Sequence, residues 1–163
     1  MYVSKDVKDP LFDSFDQIKT LEGYTSGMKN WIDVGGPVNM TKFITFQPLL
    51  DSLNGLSIVP VVLIDVRSER ELYADGKIVG SYNIPIDKIL EAFKGTEESF
   101  RRLYGFDKPT KDDLNVVLSC QGGVRARFAD HLLTKLGYLH LRVYDGSFAD
   151  WKANNGPIEP YEK

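Results

Sequence analysis

N-V-V-L-S-C-Q-G-G-V-R, residues 115–125, runs an apolar β-branched stretch straight into a cysteine, two glycines and an arginine. Residues 115–119 read as a strand buried on both faces, because they lack the apolar–polar alternation of a half-exposed strand. After the loop, Val124, Phe128, His131, Leu132 and Lys135 or Leu136 recur at helical spacing, and Gly137 ends the helix. Strand, loop and helix in that order place Cys120 at the carboxyl end of a strand, where open α/β sheets bind their ligands.

The same alternation extends in both directions. Residues 59–66, V-P-V-V-L-I-D-V, predict a second doubly buried strand, and L-R-V-Y at 141–144 a third. F-I-T-F at 43–46 predicts a short edge strand, with Thr45 capping a helix to about Asn54 and Pro48 harmless in its first turn. Ser68 and Glu71 have the spacing of a capping box at the head of a short helix. Residues 78–85 predict one extended segment closed by Pro85. Helices are expected from Asp87, from Thr96 to the stop at Gly105, and from Ser147 to about Asn154. Strands joined through helices predict an α/β fold, a parallel sheet with helices on both faces.

Cys120 carries the chemical expectation. Gly122 and Gly123 let the backbone turn so that successive N–H groups converge on one point, and the next helix adds its positive end. A thiol at that point is expected as a thiolate nucleophile. Arg125 is expected to add a fixed positive charge at the rim. The same donors would steady an anionic persulfide or an oxyanion. A core cysteine is the bland alternative, and the clustering of two glycines, an arginine and a helix start weighs against it. A phosphatase loop would need five residues between cysteine and arginine and a histidine before the cysteine. Here four intervene and residue 119 is Ser.

Three stretches in register give the chain a resemblance to the rhodanese family over about residues 43–155. V-V-L-I-D-V-R-S-E-R-E-L-Y at 61–73 followed by G-K-I-V-G-S-Y-N-I-P at 76–85 resembles its first motif. C-Q-G-G-V-R at 120–125 is similar to its six-residue active-site loop, and Y-D-G-S-F-A-D-W at 144–151 to its closing element. F-R-R-L-Y-G-F-D-K-P at 100–109 is similar to a stretch of small eukaryotic single-domain members. The resemblance implies a rhodanese-like sheet and a sulfurtransferase. Its Cys120 takes the outer sulfur of thiosulfate or another donor and passes it, as a persulfide, to glutathione, thioredoxin or cyanide. Gln121, Gly122, Gly123, Val124 and Arg125 then bind the donor, Asp65 and Arg67 support the loop, and no cofactor is called for. Gln121 and Gly122 stand where members often carry basic residues, which predicts weak use of thiosulfate. Lys77 replaces a structural histidine, and Ser147 replaces a glycine with the turn expected to survive. A rhodanese-fold binding module with vestigial catalysis is the rival expectation.

Composition excludes other classes. The 163 residues are 42% apolar, enough for one compact domain with an appended segment. A net charge of −3 with dispersed basic residues argues against a nucleic-acid partner. With one cysteine and two histidines there is no internal disulfide and no metal-ligand spacing. No apolar run reaches membrane-span length, and the N-terminal stretch lacks an apolar signal core and carries Asp6 and Asp9, so no membrane and a cytoplasmic location are expected, with a mitochondrial one left open. Residues 1–40 carry Phe12, Phe15, Ile18, Leu21, Tyr24, Met28 and Trp31. They are expected as an extension packed on the domain or a partner, joined near Gly35–Pro37 to a domain over 41–163.

Overall fold

A computed structural model describes residues 42–55 and 60–162. The expectations for residues 1–40 and for their junction lie outside the described residues.

Five strands form a sheet whose described pairings are all parallel: β1 (Phe43–Ile44), β2 (Val62–Asp65), β4 (Tyr82–Asn83), β5 (Val116–Ser119) and β6 (Arg142–Tyr144). Their order is β1-β6-β5-β2-β4, so the strand leading into Cys120 is central. All four residues of β5 are buried, which explains its uninterrupted apolar run. Asp65 lies opposite Ser119 in the β2–β5 register, so the turn after β2 and the cysteine loop leave the sheet side by side.

The helices among the described residues are α1 (Phe46–Leu53), α2 (Glu69–Asp75), α3 (Ile89–Lys94), α4 (Glu97–Tyr104), α5 (Val124–Lys135) and α6 (Ser147–Ala153). On one face of the sheet, Leu49 of α1 and Phe148 and Trp151 of α6 pack on Leu63 and Val117. Side chains alternate along a strand, so Val116 and Leu118 face the other way. There α5 packs on β5 and α3 on α5, with Phe93, Phe100 and Tyr138 making edge-on ring contacts at 5.0–5.5 Å. The expected two-sided α/β sheet is present.

Three local expectations need correction. Residues 78–85 are not one extended piece. Gly80, in the left-handed region, breaks them into β3 (Lys77–Ile78) and β4, and β3 pairs antiparallel with β7 (Ile158–Glu159) in a separate two-stranded sheet. Thr45 holds the N-cap position of α1, but its side chain makes no capping bond. Val124 opens α5 yet is 43% exposed, while Phe128, His131 and Leu132 further along the helix are buried.

Candidate active site around Cys120

The floor of the site is built by the ends of β2, β5 and β6. Arg67 is fully buried and donates from Nε and Nη2 to the Asp65 carboxylate at 3.0 and 2.9 Å, and from Nη2 to the Gly76 carbonyl. Its guanidinium lies 3.9 Å from the centre of the Phe148 ring. One side chain therefore ties the end of β2, the end of α2 and the first turn of α6 together. Asn83 adds bonds from Nδ2 to the Asp65 and Arg67 carbonyls. With no exposure, Asp65 and Arg67 lie beneath the surface of the site and do not line it.

From the other side, α6 spends its unpaired N-terminal amides on the loop. Phe148 N–H donates to the Cys120 carbonyl at 2.9 Å and Ala149 N–H to the Gln121 carbonyl at 3.0 Å. Ser147 stands at φ 56°, a left-handed conformation that glycine adopts without cost. Its hydroxyl donates to the Tyr144 carbonyl at 2.7 Å and accepts from Cys120 N–H at 3.0 Å. A hydroxyl has one hydrogen, and the Tyr144 carbonyl takes it. Its 3.9 Å approach to the sulfur is therefore a contact and not a donated bond. Ser147 is more than a residue the turn tolerates: its hydroxyl holds the cysteine backbone in place.

The sulfur itself caps a helix. Gly123 holds the N-cap position of α5 and has no side chain to offer. Cys120 Sγ fills that role, accepting from Gly123 N–H at 3.0 Å and from Ala126 N–H, the third helical amide, at 3.4 Å. These are the converging donors expected from the two glycines, but the glycines differ. Gly123 sits at φ 101°, and a Cβ there would meet the Asp145 carbonyl oxygen at 2.3 Å. Gly122 takes no such conformation and a Cβ there meets nothing within 4 Å. The backbone freedom expected of both glycines is used at Gly123 alone.

Cys120 is 1% exposed, with the exposed Gln121 and Gly122 beside it on the rim. The sulfur is thus enclosed, with the Gly123 and Ala126 amides and the Ser147 hydroxyl among its neighbours.

Arg125 differs from expectation. Its guanidinium donates from Nη1 and Nη2 to both oxygens of Glu71 at 2.6 and 2.8 Å, a bidentate pair at 25% and 31% side-chain exposure. The hydrogen bond from Arg125 draws the Glu71 carboxyl down to about 2, against partial burial and with help from Ser68. That same bond, opposed by burial and aided by charges on Glu71, Cys120 and Asp65, holds Arg125 above its usual range. Glu71 also completes the capping box of α2 with Ser68, as the spacing predicted. Next along α5, Arg127 donates to both oxygens of Asp145 at 2.6 and 2.8 Å.

The sequence profile of the rhodanese-like domain matches residues 46–154. The chain belongs to that family. A mitochondrial protein of Schizosaccharomyces pombe is 48% identical to it over 90 residues, a match spanning 55% of this chain and 62% of the relative, just under two thirds. The human thiosulfate:glutathione sulfurtransferase is 39% identical over 89 residues, covering 55% of this chain and 76% of the relative. Among solved structures, a human single-domain sulfurtransferase superposes with a TM-score of 0.61 at 34% identity, covering 69% of this chain and 96% of that one. The rhodanese-like fold and the sulfurtransferase class expected from sequence agree with these relatives.

Proposed function

We propose that this protein moves a sulfane sulfur from a small donor to an external thiol through a persulfide on Cys120. The observation that carries the reading is the pair of amides, from Gly123 and Ala126, donating to Sγ at the head of α5. Those donors and the helix end favour negative charge at that point. The Cys120 thiolate attacks the outer sulfur of thiosulfate. A bond forms from Sγ to that sulfur, the bond to the sulfonate sulfur breaks, and its electron pair leaves with sulfite. The product is Cys120–S–S⁻, whose negative charge the helix end and its amides favour. An acceptor thiolate, for which the human relative's name suggests glutathione, attacks the outer sulfur and releases the Cys120 thiolate. Thioredoxin or cyanide can take the same place.

The two half-reactions share one site and one sulfur. Cys120 is the chain's single cysteine, so the acceptor comes from outside. Gln121, Gly122 and Val124 form the exposed or half-exposed rim that donor and acceptor cross. Among the described residues no helix is long and apolar enough to span a membrane. A thiol that must return to its reduced form each cycle suits a reducing compartment. The mitochondrial name of one relative sets that organelle beside the cytosol.

Steady-state kinetics test the reading. Sulfite release with glutathione as acceptor should give parallel double-reciprocal lines and vanish in Cys120→Ser. Intersecting lines, or activity surviving the substitution, would refute it. One observation favours a second reading, a binding module with dormant catalysis: the 1% exposure of Cys120. That reading expects no sulfur transfer to a thiol from any sulfane donor.

A further inference from the structure

Arg125 is the loop's one cationic side chain, since Gln121, Gly122, Gly123 and Val124 are uncharged. Two of its N–H groups already point into the Glu71 carboxylate. Glu71 is not free to swing away. Its Oε1 also accepts from the Ser68 amide at 3.2 Å and the Ser68 hydroxyl at 3.1 Å, and its own amide donates back to Ser68 Oγ at 3.3 Å. The carboxylate is thereby fixed to the first turn of α2, and the arginine is fixed to the carboxylate. Arg127, two residues further, is matched to Asp145 in the same bidentate fashion. A thiosulfate dianion entering here meets a cation whose charge is already balanced and a carboxylate beside it.

We propose that Glu71 is a specificity-determining residue of the site: by neutralising Arg125 it turns donor preference away from dianionic thiosulfate and toward organic persulfides, which bring at most one negative charge to the reacting end. The proposal rests on the sulfur-transfer reading above. With a persulfide R–S–SH, the Cys120 thiolate attacks the outer sulfur, the S–S bond breaks, and R–S⁻ leaves and takes up the proton, giving Cys120–S–S⁻ and R–SH. With this protonated donor the charge at the site stays at one unit throughout. With thiosulfate, three negative charges must share the loop during the attack, which is where one more uncancelled cation would count.

The test is the ratio of kcat/KM for thiosulfate to kcat/KM for glutathione persulfide. It is measured in wild type, Glu71→Gln, Arg125→Gln and the double variant. Glutamine keeps the hydrogen-bonding pattern of a capping box while removing the charge. Both donors are turned over by the same folded population, so a general loss of structure does not move the ratio. The ratio should follow the net charge of the pair. It rises about tenfold in Glu71→Gln, falls about tenfold in Arg125→Gln and returns near the wild-type value in the double variant, the size expected of one charge at a partly exposed position. An unchanged or lower ratio in Glu71→Gln, or a gain that survives in the double variant, overturns the assignment. Should Glu71→Gln not fold, an Arg125→Gln ratio equal to wild type overturns it alone. If wild type forms no product from either donor, the sulfur-transfer reading fails with it. If wild type turns over and the ratios ignore charge, only the role of Glu71 fails.

Discussion

Two of the arginine–carboxylate pairs around the site, Arg67–Asp65 and Arg125–Glu71, do different work. Arg67–Asp65 lies under the loop with no exposure, braced by the Gly76 carbonyl and the Phe148 ring. Arg125–Glu71 lies at the rim, about a quarter to a third exposed. The buried pair cannot be approached by a substrate, and breaking it leaves a charge stranded in the interior. The rim pair is wet, worth little to stability, and close enough to the sulfur for its charge balance to matter to chemistry. The same division separates the two glycines of the loop: Gly123 is pinned against Asp145, and Gly122 has open space.

The largest effect should come from Arg67→Met, which leaves Asp65 buried without its partner and costs ~3–5 kcal/mol, read as a drop in the urea unfolding midpoint. A loss under ~1 kcal/mol would place this pair with the surface ion pairs and erase the contrast. Next is Gly123→Ala. The left-handed φ and the contact with the Asp145 carbonyl together cost ~2 kcal/mol or more, and turnover should fall as the Gly123 amide is pulled off the sulfur. Gly122→Ala should stay within ~0.5 kcal/mol of wild type and keep most turnover; equal damage at both positions would show that the loop has no floor and rim.

The rim pair makes the smallest contribution, and it is recognisable by pH. Glu71 sits at about 2, below its ordinary 4.5. A carboxyl held low in the folded state stabilises fully above its unfolded value and loses that contribution as pH falls through the folded one. The gap in urea midpoint between wild type and Glu71→Gln should therefore be largest above pH 4.5 and close as pH falls toward 2. A gap that is constant or widens in acid would remove the ion pair from the account.

Much of this was legible in the residues. Val116–Ser119 and Val62–Asp65 read as central strands because both faces of each are covered, so each strand is apolar throughout. The Ser68–Glu71 capping box is a local interaction three residues long, and spacing alone reveals it. The amide donors to the sulfur were legible for the same reason, since they come from the six residues that follow Cys120. What escaped depended on distance along the chain. The partner of Arg125 is 54 residues away, and nothing in either motif says that one carboxylate serves both a helix cap and the loop arginine. Residues 78–85 read as one strand because β7, which captures Lys77–Ile78, is two residues long and carries no pattern of its own. Ser147 concealed its role because serine is an ordinary turn residue. Only its φ and its two bonds to Tyr144 and Cys120 separate support from ornament.

The most direct test of the central claim is the mass of the Cys120 peptide after exposure of the full chain to a sulfane donor under non-reducing conditions. The account predicts a gain of one sulfur atom on that peptide, absent in Cys120→Ser and discharged when glutathione is added. A Cys120 peptide of unchanged mass with thiosulfate and with glutathione persulfide alike would contradict it.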